Sequence, residues 1–176
     1  IVTLGGNVDA ASTPPAAPFD PAVPATYNLR VDSVVYASAG APFDLHAYFV
    51  KTASAGEWQL IPRLDDRDWP IGGVTPTTLT FAGAALASPS PLQYDPLDLS
   101  ASGINEPLAI SLDIAAVTQA VGSTAIDDIT QDGYRPGAVS AIHLATDGRL
   151  TVDFDNGRTD IPVARIALAS FPAPAQ

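Results

Sequence analysis

The chain has no cysteine among its 176 residues. Disulfides, thiolate zinc sites and cysteine nucleophiles are excluded at once. Histidine is scarce too: His46 and His143 stand far apart, each in a strand-like run with no second His or Cys beside it. Neither reads as a metal ligand or catalytic base. Charged residues make up only 15% of the chain, against about a quarter in an ordinary soluble domain. Positive charge is the scarcer kind, with 8 Lys and Arg against 19 Asp and Glu, a formal net charge of −11. That argues against nucleic acid and anionic membrane as partners, since both need clustered basic residues. Apolar runs are short and broken by Pro, Gly and Asp, which does not suit a membrane-spanning helix. No signal peptide is visible and methionine is absent, so Ile1 is expected to begin a fragment.

What is present is strand-like. Residues 29–36, 43–50, 58–64 and 108–114 alternate apolar and polar side chains, and residues 77–81 could add a short strand. Residues 138–145, 150–155 and 158–171 read as a three-stranded antiparallel meander. Asp147-Gly148 and Asn156-Gly157 separate its strands and are expected to be hairpin turns, Asn-Gly and Asp-Gly being the commonest signals for the two-residue type I′ loop. Pro162 falls where the apolar phase changes, so a bulge or a bare edge is expected there. Residues 7–26, with five prolines and many alanines, read as an extended linker lying on a surface. Residues 115–121 could make one or two helical turns, but no long helix is credible. The fold class is all-β, with two antiparallel domains of barrel or sandwich kind.

No catalytic, cofactor-binding or metal-binding residue is assigned. Asp65-Asp66-Arg67-Asp68 is the densest carboxylate cluster, yet it lacks the spacing of a calcium loop and reads as solvated. Ser38-Ala39-Gly40 lies in a turn rather than a nucleophile elbow. Gly5-Gly6 and Gly72-Gly73 match no phosphate-binding pattern. Trp58, Trp69, Tyr27, Tyr36, Tyr48, Tyr94 and Tyr134 could line a sugar-binding face, but they sit in alternating runs or beside turns and read mostly as packing. A pair of carboxylates acting in glycoside hydrolysis stays open, because their separation is a spatial fact.

Several segments, in order, resemble the flagellar hook protein family. They are Phe19-Asp20-Pro21, Tyr27-Asn28, the turn Tyr36-Ala37-Ser38-Ala39-Gly40-Ala41-Pro42-Phe43, and Tyr48-Phe49-Val50-Lys51-Thr52 with Trp58 after it. Downstream come Gln131-Asp132-Gly133-Tyr134-Arg135-Pro136-Gly137, the two Gly-containing turns, and Ala167-Leu168-Ala169-Ser170-Phe171. The chain departs from the family at Ala37-Ser38, Gly40-Ala41 and Phe43, which still leaves Gly40 to make the bend. The resemblance implies a structural subunit that stacks helically into a curved tube, a universal joint carrying torque from motor to filament. It implies an outer domain over residues 7–128, inserted in a middle domain to which 1–6 and 129–176 belong, with a pivot at Gly5-Gly6 and 127–133. Expected partners are other copies of the chain and the hook cap, rod and hook–filament junction proteins, with no cofactor and an extracellular location. The reading from composition alone keeps a second class open, a secreted β-sandwich binding module of carbohydrate-binding or adhesin kind.

Overall fold

A computed structural model describes residues 1–37, 40–65, 67–100, 103–105 and 107–167. They divide into two compact units, 1–133 and 134–176. The first unit holds strands β1 (Val2–Asp9), β2 (Leu29–Tyr36), β3 (Pro42–Lys51), β4 (Glu57–Leu64), β5 (Arg67–Asp68), β6 (Thr77–Ala82), β7 (Ala85–Leu86), β8 (Leu92–Gln93), β9 (Ser111–Ala120) and β10 (Ala125–Gln131). The larger sheet runs β2-β3-β4-β6-β7, with β5 also on β4, and the smaller runs β10-β1-β9-β8. The chain is all-β, as expected.

Alternation explains the large sheet. Val31, Val35, Phe43, Leu45, Ala47, Phe49, Trp58, Leu60, Leu64 and Leu79 turn inward. Val2, Leu4, Val8, Leu112, Ile114 and Val117 of the smaller sheet meet them in one core, so two sheets pack face to face. Each such aliphatic or aromatic side chain contributes about 1.5–3 kcal/mol by leaving water. The β2–β3 bend falls where Gly40 was expected to make it: Gly40 has φ +82 and its amide donates to the Ala37 carbonyl at 2.7 Å.

The large sheet's other face is covered too, and here the linker expectation is corrected. Tyr48, Val50 and Ile61 form a second cluster against which Phe19 and Tyr27 pack. Tyr48 sits edge-on to Phe19 at 5.0 Å and to Tyr27 at 4.9 Å between ring centroids. The proline-rich segment is irregular, with only a short 3-10 turn at Pro24–Thr26. Two aromatic anchors nevertheless make it a lid on the sheet.

Residues 115–121 are not helical. β9 runs straight through them, and its buried positions change phase from Leu112 and Ile114 to Val117 and Gln119. Thr3 pairs with Asp113 but Gly5 with Ala116, so β9 carries an extra residue there. That bulge breaks the alternation and mimics a helical period. β9 also pairs with β1 in parallel, the exception to the antiparallel pattern. A parallel pair needs a long crossover, and everything from β2 to β8 lies within it.

Gly5-Gly6, expected at a pivot, lies inside β1, between β10 on one side and β9 on the other. Residues 1–6 and 129–131 are therefore strands of the first unit's sheet.

In the second unit β11 (Val139–Leu144), β12 (Arg149–Phe154) and β13 (Ile161–Arg165) form the expected meander. Its hairpins are not two-residue I′ loops. In both, the strand-end amide bonds across four residues, Ala145 N to Arg149 O and Phe154 N to Arg158 O, and within the three residues so enclosed only the glycines, Gly148 (φ +81) and Gly157 (φ +91), are left-handed. That is the three-residue loop with a glycine bulge. At Pro162 the register slips, Thr151 facing Pro162 while Leu150 faces Ala164, the bulge on an edge strand that proline favours. The segment from Ala167 to Phe171 lies, beyond Ala167 itself, outside the described residues.

Two glycines share φ +151 but differ in surroundings. A Cβ on Gly6 would meet the Ala125 carbonyl oxygen at 2.3 Å and Ile126 Cα at 2.8 Å, whereas one on Gly122 meets nothing within 4 Å. Gly6→Ala should cost about 3 kcal/mol or more and Gly122→Ala about 1 kcal/mol, read as a difference in urea midpoint for loss of the first unit's structure. Equal costs would show that backbone angle alone matters at Gly6.

Candidate functional surfaces

Side chains that could do chemistry are spent on the fold itself. On the large sheet, Asp32 and His46 face each other across β2 and β3. His46 Nδ1 lies 2.6 Å from Asp32 Oδ1, and Arg30 Nε donates to the same oxygen at 2.7 Å. Burial works against ionisation of Asp32, but the Arg30 and His46 bonds outweigh it and hold its pKa below the usual carboxylate value. Among the described hydrogen bonds the imidazole and this carboxylate engage each other and Arg30. His143 makes a similar pair with Asp153, Nε2 to Oδ2 at 2.9 Å, and the two histidines are in different units.

The acidic run 65–68 does not converge. Asp65 Oδ1 accepts from the Asp44 amide at 3.0 Å, Asp68 pairs with Arg63 at 3.0 Å, and Asp66 lies outside the described residues. Among the described residues no group of three His, Asp or Glu side chains is placed to hold a metal. Trp58, Trp69, Tyr48 and Tyr94 are buried and present no open aromatic face. Burial pushes the Tyr94 hydroxyl up to about 12. A cleft of about 250 Å³ in the first unit is lined by one carboxylate, Asp132, and clefts of about 400 and 390 Å³ in the second by Asp160 and Asp147 respectively. None holds the two facing carboxylates that glycoside hydrolysis uses.

Lys51, quoted above only as part of a motif, proves to be a structural pin. Only 7% exposed, its ammonium donates to the carbonyls of Thr52 (2.9 Å), Ser54 (2.6 Å) and Glu57 (3.0 Å) and lies 5.9 Å from the Trp58 ring centroid. Asn28 Oδ1 accepts from the Lys51 amide at 2.7 Å, while Asn28 Nδ2 donates to Thr13 O at 2.9 Å. Asn7 does the same for the β9–β10 turn. Its Nδ2 donates to the carbonyls of Ala120 and Ser123, both at 3.1 Å, and its Oδ1 accepts from the Ala120 amide at 2.8 Å. Asp95 closes a third turn, accepting from the amides of Gly72 (2.9 Å) and Gly73 (2.7 Å). The signal available in sequence was a polar residue flanking a strand end, which is too common to single these out.

Charge is divided unevenly. Fifteen of the 19 acidic residues and four of the 8 basic ones fall in 1–133, so the first unit carries the whole formal charge of −11 and the second carries none. The first unit's cations are engaged internally: Lys51 on carbonyls, Arg30 on Asp32, Arg63 on Asp68 and Arg67 on the Asp98 carbonyl at 3.5 Å.

The described framework is all-β, and several of its polar side chains are turned onto its own turns. Comparison with known proteins makes this specific. Residues 7–134 match the family described as Flagellar basal body protein FlaE D2 domain, and the chain belongs to that family. It is 30% identical over 162 residues to the flagellar hook protein FlgE of Escherichia coli (strain K12) and 26% identical over 163 residues to that of Salmonella typhimurium. Each alignment takes in 90% of this chain and 39% of the relative, so the chain spans about two fifths of the length of these curated relatives.

Two outcomes follow. Lys51→Met removes a donor from three carbonyls, of which Glu57's keeps Thr52 as a partner, and should destabilise the first unit by about 2–4 kcal/mol, seen in urea denaturation; a cost below about 0.5 kcal/mol would remove the pin. The second concerns Asp153, whose pKa is held below the usual value by the Asp160 amide and then by His143. A depressed carboxylate pKa adds stability above the unfolded value and loses it as pH falls through the folded one. The second unit should therefore weaken as pH drops below about 4, and Asp153→Asn should flatten that acid limb, measured by hydrogen exchange of β12 amides.

Proposed function

We propose that the chain is part of a flagellar hook subunit, a structural and non-enzymatic protein that assembles with copies of itself into a helical tube outside the cell. The tube would bend while passing motor torque to the filament. The observation that carries this reading is the family membership of residues 7–134, joined to 30% identity with a hook protein along 90% of the chain. Residues 7–128 would form the body of the outer domain, with 1–6 and 129–133 as its paired crossing strands. Residues 134–176 would belong to the middle domain. In support, β1 and β10 run antiparallel with Val2 opposite Gln131, so both crossings leave from one place, and a paired crossing resists torsion better than a single strand.

Further support comes from the second unit. Ile142, Val152 and Ile161 pair across its meander, as do Leu144, Leu150 and Ala164, so one face is apolar, yet Ile142 and Leu144 are 66% and 61% exposed. A three-stranded sheet needs its apolar face covered, and we assign the cover to the rest of the middle domain. The hook cap, rod and hook–filament junction proteins are the further partners of this reading. Nucleic acid and membrane have no place in it, since the first unit's basic residues are engaged internally.

The test is a helical reconstruction of hooks assembled from the full-length subunit that carries this sequence. The fold of residues 1–133 should repeat over the outer surface. A hook wall with no density of that shape would sink the proposal, and saturable binding of the chain on a glycan array would point to the secreted binding module instead.

A further inference from the structure

We propose that Asn156, which precedes Gly157, is a spontaneous deamidation site that the folded meander keeps silent and that opening of the β12–β13 hairpin releases. Of the four asparagines, Asn7, Asn28, Asn105 and Asn156, only the last is followed by glycine, which puts no side chain in the way of the reaction. The Gly157 amide nitrogen, once deprotonated, attacks Asn156 Cγ. A C–N bond closes the five-membered imide, the Cγ–Nδ2 bond breaks, and the amide nitrogen leaves as ammonia with the transferred proton. Water then opens the imide at either carbonyl, giving aspartate or isoaspartate.

The structure holds both partners away from this path. Asn156 Nδ2 donates to the Arg135 carbonyl at 2.6 Å, and its Oδ1 accepts from the Arg158 amide at 3.2 Å. The attacking nitrogen points its N–H at the Phe154 carbonyl, at 3.4 Å. Gly137 walls the amide in, since a Cβ there would lie 2.6 Å from Asn156 Cγ and 2.7 Å from Nδ2. The neighbouring residue tightens the same strap. The Asp155 amide donates to the Ala138 carbonyl at 3.0 Å, Asp155 Oδ1 accepts from the Ala138 amide at 3.0 Å, and Arg135 donates to the Asp155 carbonyl at 3.2 Å. For Cγ to swing onto Gly157 nitrogen, the amide must release Arg135 first.

The product cannot restore the strap. A carboxylate has no N–H for the Arg135 carbonyl, and it adds negative charge to a loop that already holds Asp155 and Asp160, close to Asp153, whose Oδ1 accepts from the Asp160 amide at 2.8 Å. Isoaspartate also inserts a methylene into a turn whose geometry rests on Gly157. The modification is thus one-way, and each event makes the hairpin easier to open. This chemistry is independent of what the chain assembles into.

The test compares the full-length subunit that carries this sequence, in buffer at pH 8 and 37 °C, with the same protein unfolded in urea, using peptide mass spectrometry and isoaspartate detection. Native chain should deamidate at least about tenfold more slowly than unfolded chain, the ratio being a measure of local opening, with the product at Asn156. Gly137→Ala, which displaces the amide, should raise the native rate several-fold. Equal native and unfolded rates, or first reaction at Asn7, Asn28 or Asn105, would overturn the proposal. Should Gly137→Ala fail to fold, wild-type chain in sub-denaturing urea decides. Its deamidation rate should rise in step with hydrogen exchange at the Gly157 amide, and a rate that stays flat while exchange rises refutes the gate.

Discussion

The clamping of β1 is the interaction on which the first unit depends. One strand, Val2–Asp9, is bonded to β10 along one edge and to β9 along the other. Its apolar residues Val2, Leu4 and Val8 are buried. Its polar residues hold the turn between the two flanking strands: Asn7 through Ala120 and Ser123, Asp9 through the Gly122 amide at 3.1 Å. Remove β1 and the smaller sheet loses its centre, the core loses Val2, Leu4 and Val8, and the β9–β10 turn loses fastenings. Gly6 is the narrowest point of this arrangement, because strand and neighbour approach too closely there for any side chain.

What could be read in the residues before the structure divides along the same line. Strands paired with their sequence neighbours were legible almost to the residue: 29–36 is β2, and 43–50 and 58–64 differ from β3 and β4 by a residue at each end or fewer. Local alternation carries that information. The β1–β9 pairing was not legible, since no local pattern reports on a partner a hundred positions away, and the bulge in β9 made residues 115–121 look helical. The lid over Tyr48 was missed for a different reason. Composition spoke for a linker, while the anchoring comes from Phe19 and Tyr27, with Asn28 tying Thr13. The Gly-containing turns were located correctly but given the wrong geometry, because Asp147 and Asn156 suit several turn types and the strands decide among them.

The absence of an assigned site also has a physical basis. Cations that could have received a substrate or an anionic partner in the first unit are already committed to carboxylates or carbonyls. Among the described residues no three His, Asp or Glu side chains are gathered to hold a metal. The residues behind the family resemblance serve structure in the same way. Phe19 and Tyr27 pack edge-on against Tyr48, and Asn28 and Lys51 tie loops.

The parallel pairing of first strand with ninth has a consequence in time. A newly made chain emits β1 early, but β1 has no partner until residue 111 and no second partner until residue 125 have followed. The contact order of this unit is therefore high, and such topologies fold in milliseconds to seconds rather than microseconds. The smaller sheet cannot close until β9 and β10 have been made, whereas β2, β3 and β4 can pair as each is completed.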